Sequence, residues 1–184
     1  MIADNITNCD MATTGNITIR LLQAVDCAVM YDAFANQGWT KPTAKFEGYL
    51  DEQEAGIRTV LVSDFQNEFA GYVTVLWQSS YSAFRERSIP EITDLNVLKK
   101  FQRKGIGTRL IEEAEGLISE RSDLAGIRVG LTADYVEAHR LYLKLRYLPD
   151  GEGISSQGKF LEYGSNATVD DDLTIGFIKH LEFK

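Results

Sequence analysis

The stretch FQRKGIGT, residues 101–108, lies between a predicted strand and a predicted amphipathic helix. Gly105 and Gly107 permit a tight turn and a close approach of the backbone to a ligand. Free main-chain amides and the helix dipole favour an anion at the start of a helix. The stretch therefore predicts a phosphate-binding turn.

Two other phosphate-binding motifs do not fit this turn. A P-loop requires a glycine, four residues and then Gly-Lys-Ser/Thr, and the chain has no such run. A dinucleotide-binding fingerprint requires a small residue at the position of Leu110. Nucleotide hydrolysis and hydride transfer therefore lose support.

The elements next to the turn are predicted from the spacing of apolar and polar residues. Residues 89–98 are predicted to form a strand that borders a cleft, with Glu91, Thr93, Leu95 and Val97 on one face and Ile92, Asp94 and Asn96 on the other. After the turn, a buried helix face is predicted from the helical spacing of Ile106, Leu110, Ala114, Leu117 and Ile118.

Further from the turn, strands and helices are predicted in alternation. Strands are predicted at 17–21, 58–63, 69–77, 126–131, 159–163 and 173–180, and helices at 24–37, 43–54 and 134–145. Residues 78–88 are predicted to be irregular, and Pro149 and Gly151 to end the unit before them. This order predicts an α/β or α+β layered domain with a mixed sheet. Residues 1–15 are predicted as a loose leader and residues 16–184 as one domain.

Composition limits the classes of protein. The chain has 184 residues and a formal net charge of −8, which disfavours a broad nucleic-acid contact. Cys9 and Cys27 have neither the spacing nor the nearby histidine of a zinc site, and no disulfide framework is indicated. With no signal peptide or membrane-spanning run in the sequence, we expect a cytoplasmic protein that does not bind membranes.

A second motif lies on the helix predicted at 134–145. Ala138, Tyr142, Lys144 and Tyr147 follow the pattern Ala-x-x-x-Tyr-x-Lys-x-x-Tyr. Together with Gln102, Gly105 and Gly107, this pattern resembles the GNAT superfamily, whose signature is Gln or Arg, two residues, Gly, one residue and then Gly or Ala.

The chain departs from the family pattern at two positions. Tyr135 stands three residues before Ala138, where the family usually has asparagine. Arg146 stands before the aromatic Tyr147, where the family usually has glycine. Cofactor contacts near Tyr135 and the turn after the helix are therefore open.

The resemblance implies a fold, an activity and a cofactor. The implied fold is a GNAT-like mixed, largely antiparallel central sheet flanked by helices and splayed between its fourth and fifth strands. The implied activity is transfer of an acetyl group from acetyl-CoA to an amine, without a metal. The implied cofactor contacts are Val97, Leu98, Gln102, Arg103, Lys104, Gly105, Ile106, Gly107, Thr108 and Ala138.

The resemblance also implies catalytic roles. Tyr142 is expected to donate a proton to the leaving thiolate. Glu91 precedes Gln102 by eleven residues, as the base glutamate does in one branch of the family, and is therefore the candidate base. Asp94 and a chain of waters are the alternatives.

The acceptor is expected to be a small-molecule or peptide amine. Four aromatic residues, Trp39, Trp77, Tyr81 and Phe84, are expected to line its cleft. A non-catalytic acyl-CoA-binding sensor is the alternative function. The oligomeric state is left open, with a homodimer as one alternative.

Overall fold

The computed structural model describes residues 16–182, so the predicted leader at residues 1–15 lies outside the described part of the chain. The helices are α1 (Asp26–Asn36), α2 (Thr43–Glu54), α3 (Ser82–Glu86), α4 (Ile106–Ile118) and α5 (Val136–Lys144). The strands are β1 (Ile17–Leu21), β2 (Arg58–Phe65), β3 (Glu68–Leu76), β4 (Glu91–Val97), β5 (Leu124–Gly130), β6 (Leu148–Ser156), β7 (Lys159–Phe160) and β8 (Thr174–His180).

All eight strands form one sheet in the order β1-β2-β3-β4-β5-β8-β6-β7. Every neighbouring pair is antiparallel except β4 and β5, which run parallel. A mixed, largely antiparallel sheet flanked by helices is the fold class that the sequence predicted, and the structure confirms it.

The sheet opens between β4 and β5. Only Glu91 and Ile92 of β4 pair with β5, opposite Gly126 and Ile127, although both strands continue beyond these residues. The parallel pairing is therefore lost halfway along the strands. This confirms the predicted splay between the fourth and fifth strands.

A β-bulge interrupts β4 on its other edge. Tyr72 of β3 lies opposite Asn96 and Thr74 lies opposite Thr93, so that Asp94 and Leu95 together face one residue of β3. Asp94 has a φ of 51°, a left-handed conformation that aspartate tolerates better than most residues. The predicted alternation of faces along residues 91–97 is therefore wrong, because the bulge changes the direction of the side chains after Thr93.

The core around α1 and α2 is aromatic. Phe34 of α1 is fully buried and its ring centroid lies 5.8 Å from that of Tyr72 and 6.2 Å from that of Phe46. Cys27, Met30 and Phe34 recur at helical spacing and are all buried, which explains why this segment forms a helix against β3. Such aromatic contacts contribute about 0.5–1.5 kcal/mol each beyond the area that they bury.

Helix α4 packs mainly against β3 and β4. Its buried residues are Ile106, Leu110, Ile111, Ala114 and Ile118, which confirms the predicted apolar face. Leu117, also predicted for this face, is only partly buried. The first turn of α4 is thereby held against the strand that borders the splay.

Two elements were not predicted from the sequence. Residues 78–88 contain α3, and Tyr81, Phe84 and Ile89 form a small buried cluster separate from the main core. Strand β6 runs through Pro149 and two glycines, and its pairing with β8 is irregular between Pro149 and Ile154. Because proline and glycine usually end regular structure, the sequence pattern did not indicate this strand. The strand predicted at 159–163 is limited to β7.

Among the described residues, no helix is both long and apolar enough to cross a membrane.

A substitution at Gly71 tests the close contact beside the bulge. A Cβ atom on Gly71 would lie 2.4 Å from the carbonyl oxygen of Asn96, a backbone atom that cannot move away easily. We expect Gly71→Ala to lower the free energy of unfolding by about 2–3 kcal/mol in urea denaturation. Gly48→Ala is the control, because no atom lies within 4 Å of the added methyl group and α2 should gain up to about 1 kcal/mol. Equal effects of the two substitutions would contradict the contact.

Candidate active site

The splay creates a cleft of about 850 Å³. All residues of β4 from Glu91 to Val97 line the cleft, with the exception of Ile92. Arg128–Gly130 of β5 and residues from α2, α5 and the segment before β8 complete the lining. The volume falls in the range of about 300–1,000 Å³ that is typical of ligand pockets. The open stretch of β4 is therefore the wall of a ligand-sized cavity.

The glycine turn begins where this wall ends. Arg103 and Gly105 have φ values of 64° and 83°, and α4 starts at Ile106 with no side chain capping its amides. Backbone amides at such a turn and at the first helical turn point toward a common concavity that suits an anion. The Gln102 side chain donates a hydrogen bond to the Val97 carbonyl (3.3 Å), which ties the turn to the end of β4.

The remaining predicted cofactor residues surround the same junction. A Cβ atom on Gly107 would lie 3.5 Å from Leu141 of α5 and 3.8 Å from Val97, so the turn lies between α5 and β4. Lys104 and Thr108 flank the glycines, and Ala138 lines the cleft.

Leu98 is placed differently from expectation. Its side chain is buried in the core, its amide donates to the Ala70 carbonyl at 2.8 Å, and its carbonyl accepts from the Phe101 amide at 2.8 Å. Its backbone groups are therefore already engaged within the protein. Val97 is the better candidate for a backbone contact with a ligand.

Tyr142 reaches the cleft from α5, one helical turn after Ala138. Its side chain is 7% exposed, and burial raises the pKa of its hydroxyl well above the ordinary tyrosine value. The phenol therefore stays protonated at neutral pH. A protonated hydroxyl in the cleft is able to donate a hydrogen bond to a negative charge that develops there.

Glu91 is buried in an ion pair. Its Oε1 accepts a hydrogen bond from Arg128 Nε (2.8 Å) and its Oε2 accepts one from the Ser79 hydroxyl (2.5 Å). The side chain is only 2% exposed. The candidate base is therefore held by a neighbouring cation and a hydroxyl group on other elements.

Asp94 is held by a larger network. The Tyr49 and Tyr72 hydroxyls donate to its Oδ2 (2.9 and 2.5 Å), and the ammonium groups of Lys45 and Lys41 lie 2.9 and 3.5 Å from its carboxylate oxygens. Burial alone would raise the pKa of Asp94, but the charges of Lys41 and Lys45 and the hydrogen bond from Tyr72 hold it well below its usual range. Asp94 is therefore a poor base.

Sequence analysis did not identify Lys41, Lys45, Tyr49 or Tyr72 as site residues. Lys41, Lys45 and Tyr49 are spaced four residues apart around the start of α2, which is one signal that could have indicated a shared face. Their meeting with Asp94 depends on the bulge, for which the sequence has no comparable signal.

Of the four aromatic residues expected around the acceptor, only Trp39 lines the cleft. Trp77 instead donates from its indole nitrogen to the Thr59 hydroxyl (3.0 Å) and stacks against Arg121. Tyr81 and Phe84 are fully buried with their ring centroids 4.8 Å apart. Tyr81 and Phe84 pack against each other at the start of α3, and Trp77 packs at the end of β3, so these three side chains lie outside the cleft.

Tyr135 occupies the position where the family pattern has asparagine. Its ring lies over Gly130, where a Cβ atom would be 2.5 Å from the ring, and its hydroxyl donates to Asp171 (3.0 Å). Asp134, Asp171 and Asp172 are exposed and make one rim of the cleft acidic. Among residues 16–182, no cluster of histidine, cysteine, aspartate and glutamate side chains is suited to a metal ion.

A splayed mixed sheet with a glycine turn at the end of the open strand is the architecture that the GNAT resemblance implied. Residues 28–147 match the model of the acetyltransferase (GNAT) family, and the chain belongs to this family. It is therefore an acyltransferase.

Solved structures share the fold at low sequence identity. An acetyltransferase from Salmonella typhimurium that modifies the N-terminal serine of ribosomal protein L7/L12 is 12% identical (TM-score 0.67; 90% of this chain and 95% of that one). The ribosomal-protein-S18-alanine N-acetyltransferase of Escherichia coli is 14% identical (TM-score 0.64; 92% and 96%). The yncA protein of Salmonella typhimurium, solved with its cofactor acetyl-CoA, is 19% identical (TM-score 0.64; 90% and 94%). No curated protein sequence matches the chain at a significant level.

Substitution of Asp94 tests the network. We expect Asp94→Asn to lower the free energy of unfolding by about 2 kcal/mol at pH 7, because two partly buried ammonium groups lose their counter-charge. The folded-state pKa of Asp94 lies below the unfolded value of about 3.9, so its contribution is complete above that pH and is lost as the pH falls toward the folded-state pKa. Urea denaturation from pH 7 to pH 3 measures both effects.

The control for this experiment is Asp51→Asn at an exposed position of α2. It should change stability by no more than about 0.5 kcal/mol at any of these pH values. A pH-independent difference between wild type and Asp94→Asn would contradict a charged, ion-paired Asp94.

Proposed function

We propose that this protein is an N-acetyltransferase that transfers the acetyl group of acetyl-CoA to a primary amine of a small molecule or peptide by direct attack. One observation carries the proposal: Gln102 at the glycine turn and Tyr142 of α5 line the same cleft, along the unpaired part of β4. This arrangement offers an anion site at one end and a hydroxyl donor within the cavity.

The proposed cofactor fits the cleft by its chemistry. Its diphosphate would bind the backbone amides from Arg103 to Thr108, where the helix start and the turn favour negative charge. Its pantetheine arm carries amide groups, which would complete the open edge of β4 near Val97 as an additional strand does. The structure of yncA with its cofactor acetyl-CoA supports this choice of cofactor.

The reaction requires no covalent enzyme intermediate. The amine nitrogen attacks the thioester carbonyl carbon, the carbonyl oxygen becomes negative, and the carbon–sulfur bond then breaks to release the thiolate of CoA. A backbone amide near Val97 would stabilise the oxyanion. The Tyr142 hydroxyl would donate a hydrogen bond, and finally a proton, to the sulfur, and the proton lost by the amine returns to the tyrosine through solvent.

The route of the amine proton is proposed from the two carboxylates of β4 that line the cleft. Glu91 is bound to Arg128 and Ser79, and Asp94 is bound to two lysines and two tyrosines. The lysines lower the pKa of Asp94, and Glu91 is already engaged by Arg128. Of the three routes considered, we therefore favour a chain of waters. Glu91 would then position the Arg128 side chain in the wall of the cleft.

The acceptor class is supported by two observations. The similar acetyltransferase from Salmonella typhimurium modifies the N-terminal serine of ribosomal protein L7/L12. The similar protein from Escherichia coli is a ribosomal-protein-S18-alanine N-acetyltransferase. In addition, the acidic rim formed by Asp134, Asp171 and Asp172 attracts protonated amines to the mouth of the cleft.

Calorimetry with CoA and pantetheine tests the cofactor site. We expect CoA to bind the wild-type protein, and Gly105→Val to weaken that binding at least tenfold, because the φ of 83° at this position is unfavourable for valine. Pantetheine lacks the diphosphate, so its affinity should be unchanged by the substitution. Gly116→Ala, on an open face of α4, is the control. If CoA does not bind the wild type, the proposal falls.

Kinetics of Tyr142→Phe test the proton donor. We expect kcat for thiol release in the presence of an amine to fall about a hundredfold, while the affinity for acetyl-CoA changes less than about twofold. Tyr147→Phe is the matched control, because Tyr147 is fully buried beside Tyr142 and does not line the cleft. An equal loss in both variants would contradict the role of Tyr142. Binding of acetyl-CoA without thiol release for any amine would instead favour the non-catalytic acyl-CoA sensor.

A further inference from the structure

The charges at the bulge end of the cleft do not balance. Lys41 and Lys45 place two ammonium groups against the single carboxylate of Asp94, at 3.5 and 2.9 Å. The side chains of Lys41 and Asp94 are only 16% and 19% exposed, and that of Lys45 is 35% exposed. One positive charge is therefore in excess in a place where water screens it poorly.

Asp94 has no capacity left to neutralise both lysines. Besides Lys45, it accepts hydrogen bonds from Tyr49, Tyr72 and the side-chain amide of Asn96 (2.8 Å). Among the described residues, the other carboxylates of the cleft wall form no ion pair with Lys41 or Lys45. Glu91 pairs with Arg128, and the three rim aspartates are exposed and belong to the α5 side or the segment before β8.

Lys41 is held in place rather than free to extend into solvent. Its ammonium group donates to the Tyr72 hydroxyl (3.2 Å) and lies 5.2 Å from the centre of the Phe34 ring. Burial lowers the pKa of Lys41, and the opposing effect of Asp94, which Lys45 partly cancels, does not restore it. A cation that is ordered, partly dehydrated and short of counter-charge is suited to binding an anion.

We infer that the acceptor is an amine that also carries an anionic group, a carboxylate or a phosphate monoester, which binds to Lys41 at the bulge end of the cleft. This inference rests on the proposed N-acetyltransferase function. The anion is assigned to the acceptor rather than to the cofactor, because Lys41 lies against Asp94 in the middle of β4, whereas the diphosphate site at residues 103–108 lies beyond the end of the strand at Val97. The acceptor would thus be held by its anion at Lys41 while its amine points toward the thioester.

Matched acceptor pairs test the inference by turnover. The pairs are alanine with alaninamide, for the carboxylate, and O-phosphoethanolamine with ethanolamine, for the phosphate, each compared at equal concentrations of free amine. We expect at least one anionic member to have a kcat/KM at least tenfold above that of its neutral partner, as a charge-assisted contact implies. Lys41→Met, which keeps the aliphatic stem, should reduce this preference to about twofold or less.

The control variant is Lys159→Met, at an exposed position of β7 outside the cleft, which should keep the full preference. The pair that shows the preference identifies the anion. Equal rates for both members of each pair, or a preference that survives Lys41→Met, would overturn the inference. The proposed function would still stand in that case, because the amines are acetylated.

An equilibrium measurement decides the question if no acceptor turns over. The CoA-bound protein is titrated with N-acetylalanine and N-acetylalaninamide, and with the N-acetyl derivatives of O-phosphoethanolamine and ethanolamine, and the melting temperature is followed. Greater stabilisation by an anionic derivative, lost in Lys41→Met, supports the anion site even though the proposed function has failed. Equal or absent stabilisation by both members of each pair overturns the inference.

Discussion

The loss of pairing between β4 and β5 is the constraint on which the site depends. After Ile92 and Ile127 the two strands separate, and the edge of β4 that would have bonded to β5 faces a cavity instead. Backbone amides and carbonyls inside a protein are rarely left without partners, so an open edge of this kind calls for a ligand that supplies them. The two antiparallel neighbours, β3 on one side and β8 on the other, hold the separated strands in place.

Each part of the cleft has a physical task that follows from its position along β4. The glycine turn lies at the carboxyl end, where the start of α4 favours negative charge. Tyr142 enters from α5 and keeps its proton because it is buried. At the bulge, Asp94 contacts two lysines and two tyrosines, so that two positive charges face one carboxylate. The open strand therefore leads from the cationic region at Asp94 to the glycine turn, which are the two regions that we propose for the acceptor and the cofactor.

The ion pairs of Glu91 and Asp94 illustrate why residue type alone does not define a base. Both are carboxylates on the strand that borders the cleft, and both are plausible bases when only spacing is considered. Their surroundings differ, because Arg128 and Ser79 bind Glu91 whereas two lysines and two tyrosines bind Asp94 and lower its pKa. Distances to neighbours on other elements are required to see this.

The sequence by itself determined the features that depend on residues close together in the chain. Local sequence patterns indicated the turn at Gly105 and Gly107, the buried face of α4 and the order of most strands. The splay was implied by the family resemblance. Only the tertiary structure decided the bulge at Asp94, the inward packing of Tyr81 and Phe84, and the irregular strand β6. The reason is that strand register and side-chain pairing across the sheet join residues far apart in the chain, and a local pattern does not specify which of them meet.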